Sequence, residues 1–184
     1  MEIKGEYQIN SSREAVYSAL NDPEMLKKCI PGCESLEKIS DTELKAKVMA
    51  AIGPVRARFD TRLTLENLNP PESYTLVGES KAGMAGFGRG SAEVHLEEKD
   101  GGTLLTYNAE FKVGGKLAQV GSRLVMGATK KTADDFFGTF SRELDPGAMR
   151  MDLDEPASKG VSSMTWKAIG AAIAVLLIWW FLLR

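Results

Sequence analysis

The chain has 184 residues, enough for one domain with its own core plus an appendage. Its formal net charge of −2 offers no bulk attraction to nucleic acid, and two cysteines do not make a disulfide framework. The opening stretch MEIKGEYQIN lacks the apolar segment of a secretory signal, which predicts a reducing, cytosolic setting for the main domain.

Residues 1–10 alternate, with Ile3, Tyr7 and Ile9 on one face and Glu2, Lys4, Glu6 and Gln8 on the other, as in a half-buried strand. Ser11 followed by Glu14 reads as a capping box that opens a short helix with Val16, Ala19 and Leu20 inward. Asp22-Pro23 opens a second short helix, since proline is at ease in a first turn, and this helix ends at IPGC.

Six strands are predicted next, over Glu34–Ser40, Glu43–Ile52, Val55–Leu68, Ser73–Ser80, Gly88–Glu98 and Thr103–Val113. The breaks between them carry turn chemistry: Asp41, Gly53-Pro54, Asn69-Pro70-Pro71, a glycine cluster and Asp100-Gly101-Gly102. Two strands show clear inward sets. One is Leu44, Ala46, Val48, Ala50 and Ile52; the other is Leu105, Tyr107, Ala109, Phe111 and Val113. Sequential antiparallel hairpins are the economical topology.

After Gly114-Gly115 the period becomes helical. Leu117, Val120, Leu124, Ala128, Ala133, Phe136, Phe137, Phe140 and Leu144 predict one long amphipathic helix over Lys116–Leu144. A curved sheet with one long helix leaves a concave face for that helix to cover. Ala46, Ala50, Ala57, Gly90, Ala92 and Ala109 are small inward positions that leave room for a cavity, although small residues also occur where strands bend.

Residues 145–163 are rich in Pro, Gly, Ser and Asp and read as a flexible linker spanning about 25 Å root-mean-square. Residues 164–184 read as a C-terminal transmembrane anchor. Trp166 to Leu183 would span about 27 Å as a helix, close to a hydrocarbon core of roughly 30 Å. Trp166 at one end and Trp179 and Trp180 at the other fit an aromatic belt. Lys159 and Lys167 stand at the start and only Arg184 follows, which places the large domain on the cytoplasmic face.

CIPGCE, residues 29–34, holds both cysteines. A zinc or iron–sulfur site needs about four ligands, and a redox pair favours Cys-x-x-Cys in a βαβ setting. Ile30-Pro31-Gly32-Cys33 instead fits a type II turn carrying free thiols, with a regulatory thiol pair as the other reading. The single histidine, His95, alternates with Val94 and Leu96 and so faces solvent beside Glu93 and Glu97. No serine or cysteine has an identifiable base partner, and no catalytic or metal residue is assigned. GESKAGMAGFGRGS, residues 78–91, lacks the phosphate-loop order and lies between strands. It reads as a hairpin end, or as a lip of the cavity whose apolar tips, Met84 and Phe87, touch lipid, ligand or a partner.

Two segments resemble a known family. MEIKGEYQINSSREAVYSALNDPEMLKKCIPGCESLEKIS is similar to the start, and GGKLAQVGSRLVMGATKKTADDFFGTF to the final helix, of the G subunits of carbon monoxide dehydrogenases. The resemblance covers residues 1–144 and implies an α+β, START-like helix-grip fold: a curved seven-stranded antiparallel sheet, two short helices and one long helix around a hydrophobic ligand cavity. The expected lining is Phe59, Met84, Phe87, Tyr107, Phe111, Leu124, Val125, Ala128, Phe136 and Phe140. The resemblance further implies a membrane-anchored, non-enzymatic partner of a molybdenum carbon monoxide dehydrogenase or relative. No covalently bound cofactor is expected. The carried ligand would be a respiratory quinone, menaquinone or ubiquinone. A pure recruitment adaptor, and an enzyme acting on an apolar small molecule, stand as the alternatives.

Overall fold

The computed structural model describes residues 1–145. The proposed anchor and all of the proposed linker beyond Asp145 lie outside them. Among the described residues no helix is long and apolar enough to cross a membrane.

Seven strands form one antiparallel sheet in the order β1-β7-β6-β5-β4-β3-β2. They are β1 (Glu2–Ile9), β2 (Cys33–Lys38), β3 (Glu43–Ile52), β4 (Val55–Asn69), β5 (Ser73–Lys81), β6 (Phe87–Lys99) and β7 (Gly102–Gly114). Helices α1 (Arg13–Leu20) and α2 (Pro23–Cys29) join β1 to β2, and α3 (Lys116–Gln119) and α4 (Ser122–Leu144) follow β7. The α+β order and the seven-stranded sheet match the expectation, with strand ends moved by one or two residues.

Two local expectations need correction. Ser12, not Ser11, caps α1: its Oγ accepts a hydrogen bond from the Ala15 amide at 3.3 Å. The final helix is not continuous either. The chain turns at Gly121, whose φ of 94° no helix accommodates. The break shifts the helical phase, so Val125 rather than Leu124 faces inward: Val125 is 1% exposed and Leu124 is 52% exposed. The turn after α2 is as read. Cys33 N–H donates to Ile30 O at 3.2 Å, and Gly32 takes the positive φ, 73°, that a type II turn needs.

Antiparallel order sends successive turns to opposite ends of the sheet. The β2–β3, β4–β5 and β6–β7 turns share one end with α1, which is tied there by the 2.7 Å bond from Thr103 Oγ1 to Ser11 O. The β3–β4 and β5–β6 turns and the β7–α4 connection share the other. Helix α4 reaches both edges of the sheet: Phe137 stacks on Tyr7 of β1, and Phe136 packs against a cluster built from α2, β2 and β3.

The solid core occupies the α1 end. Ile9, Val16, Leu105 and Phe140 have no exposed surface and pack with Leu20, Leu65, Tyr74, Val94 and Leu96. A smaller cluster, Leu26, Leu36, Leu44 and Ala46, continues it under the β2 edge. Neither cluster extends to the far end of the sheet.

Candidate functional site

The inner wall of that far half is built from strands β3 to β7. Cross-strand pairing places Ala50 beside Ala57, Val48 beside Phe59, Gly78 beside Gly90, Ala92 beside Ala109 and Gly90 beside Phe111. Most of these residues are glycine or alanine, and Phe59 and Phe111 are half-buried and belong to neither core cluster. A wall of small side chains fills less of the space under a helix than a wall of large ones.

An apolar groove of about 370 Å³ runs between α4 and the end of β3, within the size range of small-molecule sites. Ala128, Ala133 and Phe136 form its helix side; Ala50 and Ile52 form its sheet side; Ile30 and Pro31 of the CIPGCE turn close one end. Two threonines also line it. Thr129 Oγ1 donates to Val125 O at 2.9 Å and Thr132 Oγ1 to Ala128 O at 3.0 Å. Their hydroxyls are thus satisfied by the helix itself. A larger cleft of about 850 Å³ lies elsewhere on the sheet and is mixed in character: Glu2, Glu79, Arg89, Glu110 and Lys112 border it together with Met1, Val77 and Phe111.

One polar pair interrupts the apolar inner wall. Thr61 and Ser80, cross-strand partners on β4 and β5, hold their hydroxyl oxygens 2.8 Å apart. One hydroxyl donates to the other, and the accepting hydroxyl keeps its own hydrogen to donate elsewhere. Thr61 lies between Phe59 and Leu63 on the inward parity of β4, and that alternation is the signal in the sequence that could have revealed it.

A second arrangement crosses from α4 to β1. Tyr7 stacks on Phe137 at 4.2 Å, Phe137 on Tyr107 at 5.9 Å, and Tyr107 lies against Gly5, where a Cβ would stand 2.6 Å from its ring. Tyr7 Oη donates to Asp134 Oδ1 at 2.7 Å. Burial first, and then this bond, push the Tyr7 phenol above its ordinary range.

The expected lining residues divide accordingly. Ala128 and Phe136 line the groove, Phe59 and Phe111 are half-buried on the inward parity of their strands outside it, and Tyr107 sits in the aromatic stack. Val125 and Phe140, at 1% and 0% exposure, are packed in the interior and present no surface to a ligand. Phe87 also departs from expectation. It has the outward parity of Arg89 and His95, and its ring covers Gly114 on β7, where a Cβ would be 2.3 Å from Phe87 Cε1. Met84 and Leu124 are not walls but rim: Met84 is 86% exposed on the one-turn 3₁₀ helix Gly83–Ala85, and Leu124 lies with Val120 over Gly53 of the β3–β4 turn.

His95 is exposed on the convex face, as read from its parity. Cys29 is buried with its thiol 3.8 Å from Met25 Sδ, and Cys33 donates weakly to Ser35 O at 3.5 Å. Burial raises both thiols above their ordinary range, which keeps them protonated.

The family model for the G subunit of carbon monoxide dehydrogenase (CoxG) matches residues 5–145. The chain belongs to the CoxG family. The family name implies association with carbon monoxide dehydrogenase. Solved structures share the fold. A conserved protein from Geobacillus kaustophilus is 32% identical, with a TM-score of 0.75 over 80% of this chain and 97% of that one. The match takes in nearly the whole of that crystallised chain. TTHA0849 from Thermus thermophilus is 16% identical, with a TM-score of 0.61 over 80% and 99% of the two chains. The ZhuI aromatase/cyclase from Streptomyces sp. R1128 is 11% identical, with a TM-score of 0.60 over 88% and 99%. These place the CoxG domain among START-like, helix-grip folds. A search of curated proteins finds no match for the chain.

Proposed function

We propose that this CoxG protein is a membrane-tethered, non-catalytic accessory protein that carries an apolar molecule for a molybdenum carbon monoxide dehydrogenase or a related molybdenum hydroxylase. The observation that carries the reading is the apolar groove between α4 and the end of β3, walled largely by alanines. A helix and sheet meant only to pack would fill that space with larger side chains.

A respiratory quinone, menaquinone or ubiquinone, suits this space. Its ring and isoprenoid tail match an apolar groove, and its carbonyl oxygens accept hydrogen bonds of the kind the Thr61–Ser80 hydroxyl pair has left to donate. Such a ligand would be held without a covalent bond. The enzyme that passes electrons to it is a soluble oxidoreductase, and the quinone pool is in the bilayer. A carrier held at the cytoplasmic face by the apolar segment 164–184 joins the two.

The test is organic extraction of the purified domain, residues 1–145, after expression in a quinone-containing host, followed by lipid mass spectrometry. A bound isoprenoid quinone supports the carrier. An empty domain that still captures the dehydrogenase makes the protein a recruitment adaptor, and turnover of an apolar substrate makes it an enzyme; either result overturns the carrier.

A further inference from the structure

The open end of the sheet concentrates charge of one sign. Three segments build its rim: residues 50–59 around the β3–β4 turn, 80–92 around the β5–β6 turn, and 111–124 from β7 into α4. These turns touch one another. Val120 and Leu124 cover Gly53, and a Cβ on Gly115 would stand 2.6 Å from Gly86 Cα. The three segments hold seven basic residues and no Asp or Glu, in a chain whose net charge is −2. The remainder therefore carries −9, and the opposite end bears Asp41, Glu72 and Asp100 in its turns.

Most of the rim's positive charge is uncompensated. Arg58 pairs with Glu34 at 2.7 Å and Lys81 with Glu79 at 3.8 Å. Arg56, Arg89, Lys112, Lys116 and Arg123 have no carboxylate within ion-pair distance among the described residues. Arg89 has Lys112 as its cross-strand partner on β7, a like charge, and Glu79 as its partner on β5, with no ion pair formed to it. The same rim exposes Met84 at 86%, Leu124 at 52% and Phe87 at 45%. Single exposed apolar side chains are ordinary. Three of them set among unpaired cations at one end are the composition of a surface that enters a lipid interface.

We propose that this rim docks on an anionic lipid bilayer, with Met84 and Leu124 entering the headgroup layer and the groove opening toward the lipid. An acidic protein surface would satisfy the charges but offers no apolar medium to a side chain as exposed as Met84. The inference rests on the reading of the domain as one that works at a membrane, and not on the identity of its cargo. It adds a second contact to the one proposed for segment 164–184, and it orients the domain.

The tryptophans of the chain are at 166, 179 and 180, so the domain 1–145 has none and a single one can be placed as a probe. The Met84→Trp domain is mixed with vesicles of phosphatidylcholine with and without phosphatidylglycerol. The emission should shift to the blue with the anionic vesicles alone, and high salt should reverse the shift. Ile39→Trp, an exposed position at the opposite end, should not respond. In sedimentation, the triple variant Arg56→Gln, Arg89→Gln, Lys116→Gln should lose about 100-fold in partitioning, about fivefold for each charge removed near the surface. No vesicle binding, equal binding to neutral vesicles, an equal response from Ile39→Trp, or binding to the dehydrogenase in place of lipid would each overturn the proposal. A domain that retains quinone yet ignores vesicles refutes the docking alone; one that binds vesicles but extracts empty refutes the cargo alone.

Discussion

Tyr7 and Asp134 join the first strand to the last helix by a hydrogen bond of 2.7 Å, with Tyr7 donating. The Tyr7 hydroxyl first, and then Lys130 at 3.0 and 3.2 Å, hold the Asp134 carboxyl below its ordinary value. The bond clamps α4 to the β1 edge, next to the stack of Tyr7 on Phe137.

A depressed carboxyl pKa stabilises the fold above the unfolded value of 3.8, and that contribution is lost as pH falls through the folded value. Tyr7 works in the other direction. Its raised phenol contributes fully below 10.0 and loses that contribution as pH rises beyond. Tyr7→Phe should therefore melt at a lower temperature than the parent at neutral pH. The gap should narrow below pH 3.8, and the parent's alkaline loss of stability should be smaller in the variant. Thermal melts of both proteins across pH check this, and a gap unchanged in acid would contradict it.

The hydroxyl pair on the inner wall should affect ligand more than fold. Replacing both partners by shapes of similar size, Thr61→Val with Ser80→Ala, leaves no orphaned donor and should change stability little. A lost hydrogen bond of about 1 kcal/mol to a quinone carbonyl corresponds to an affinity about fivefold weaker. A hydrocarbon of the same tail length should bind both proteins alike. Titration of the two ligands separates a polar anchor from a mere spacer.

Phe140 and Phe111 should behave differently, although the sequence pattern assigns both to the lining of one cavity. Phe140 has no exposed surface and lies in the packed cluster, so Phe140→Ala should cost about 3–5 kcal/mol in chemical denaturation. Phe111 is half-buried outside that cluster, and Phe111→Ala should cost less than about 2 kcal/mol while altering ligand retention. Equal costs would mean that the open half is packed.

The cysteines should prove inert in the native state. Cys29 is buried, Cys33 is half-buried, and burial keeps both thiols protonated at neutral pH. A thiol reagent should label Cys29 only after denaturant is added. Fast native labelling of both would favour the regulatory thiol pair.

Much of the fold is legible in the residues. Alternation in Leu44 to Ile52 and in Leu105 to Val113 marks strands and their inner faces, because a strand half buried on one side must repeat every second residue. Proline and glycine mark the turns. What periodicity cannot show is depth: Val125, Phe136 and Phe140 share one helical pattern, yet only Phe136 lines the groove, since the difference depends on which strand residues stand opposite. The break at Gly121 is hidden because the apolar spacing runs through it, while the helix phase does not. Phe87 reads as a cavity lip when its turn is taken as a unit; the register with Gly114 turns it outward.

The sequence by itself determined the strands, the turn at CIPGCE, the family resemblance and the expectation of an apolar anchor, since each depends on neighbours a few residues apart. Only the tertiary structure decided where the core ends and the groove begins. It also brought Thr61 to Ser80 and gathered three basic, acid-free segments onto one rim. Those relations join residues on separate strands, and antiparallel pairing alone sets which of them meet.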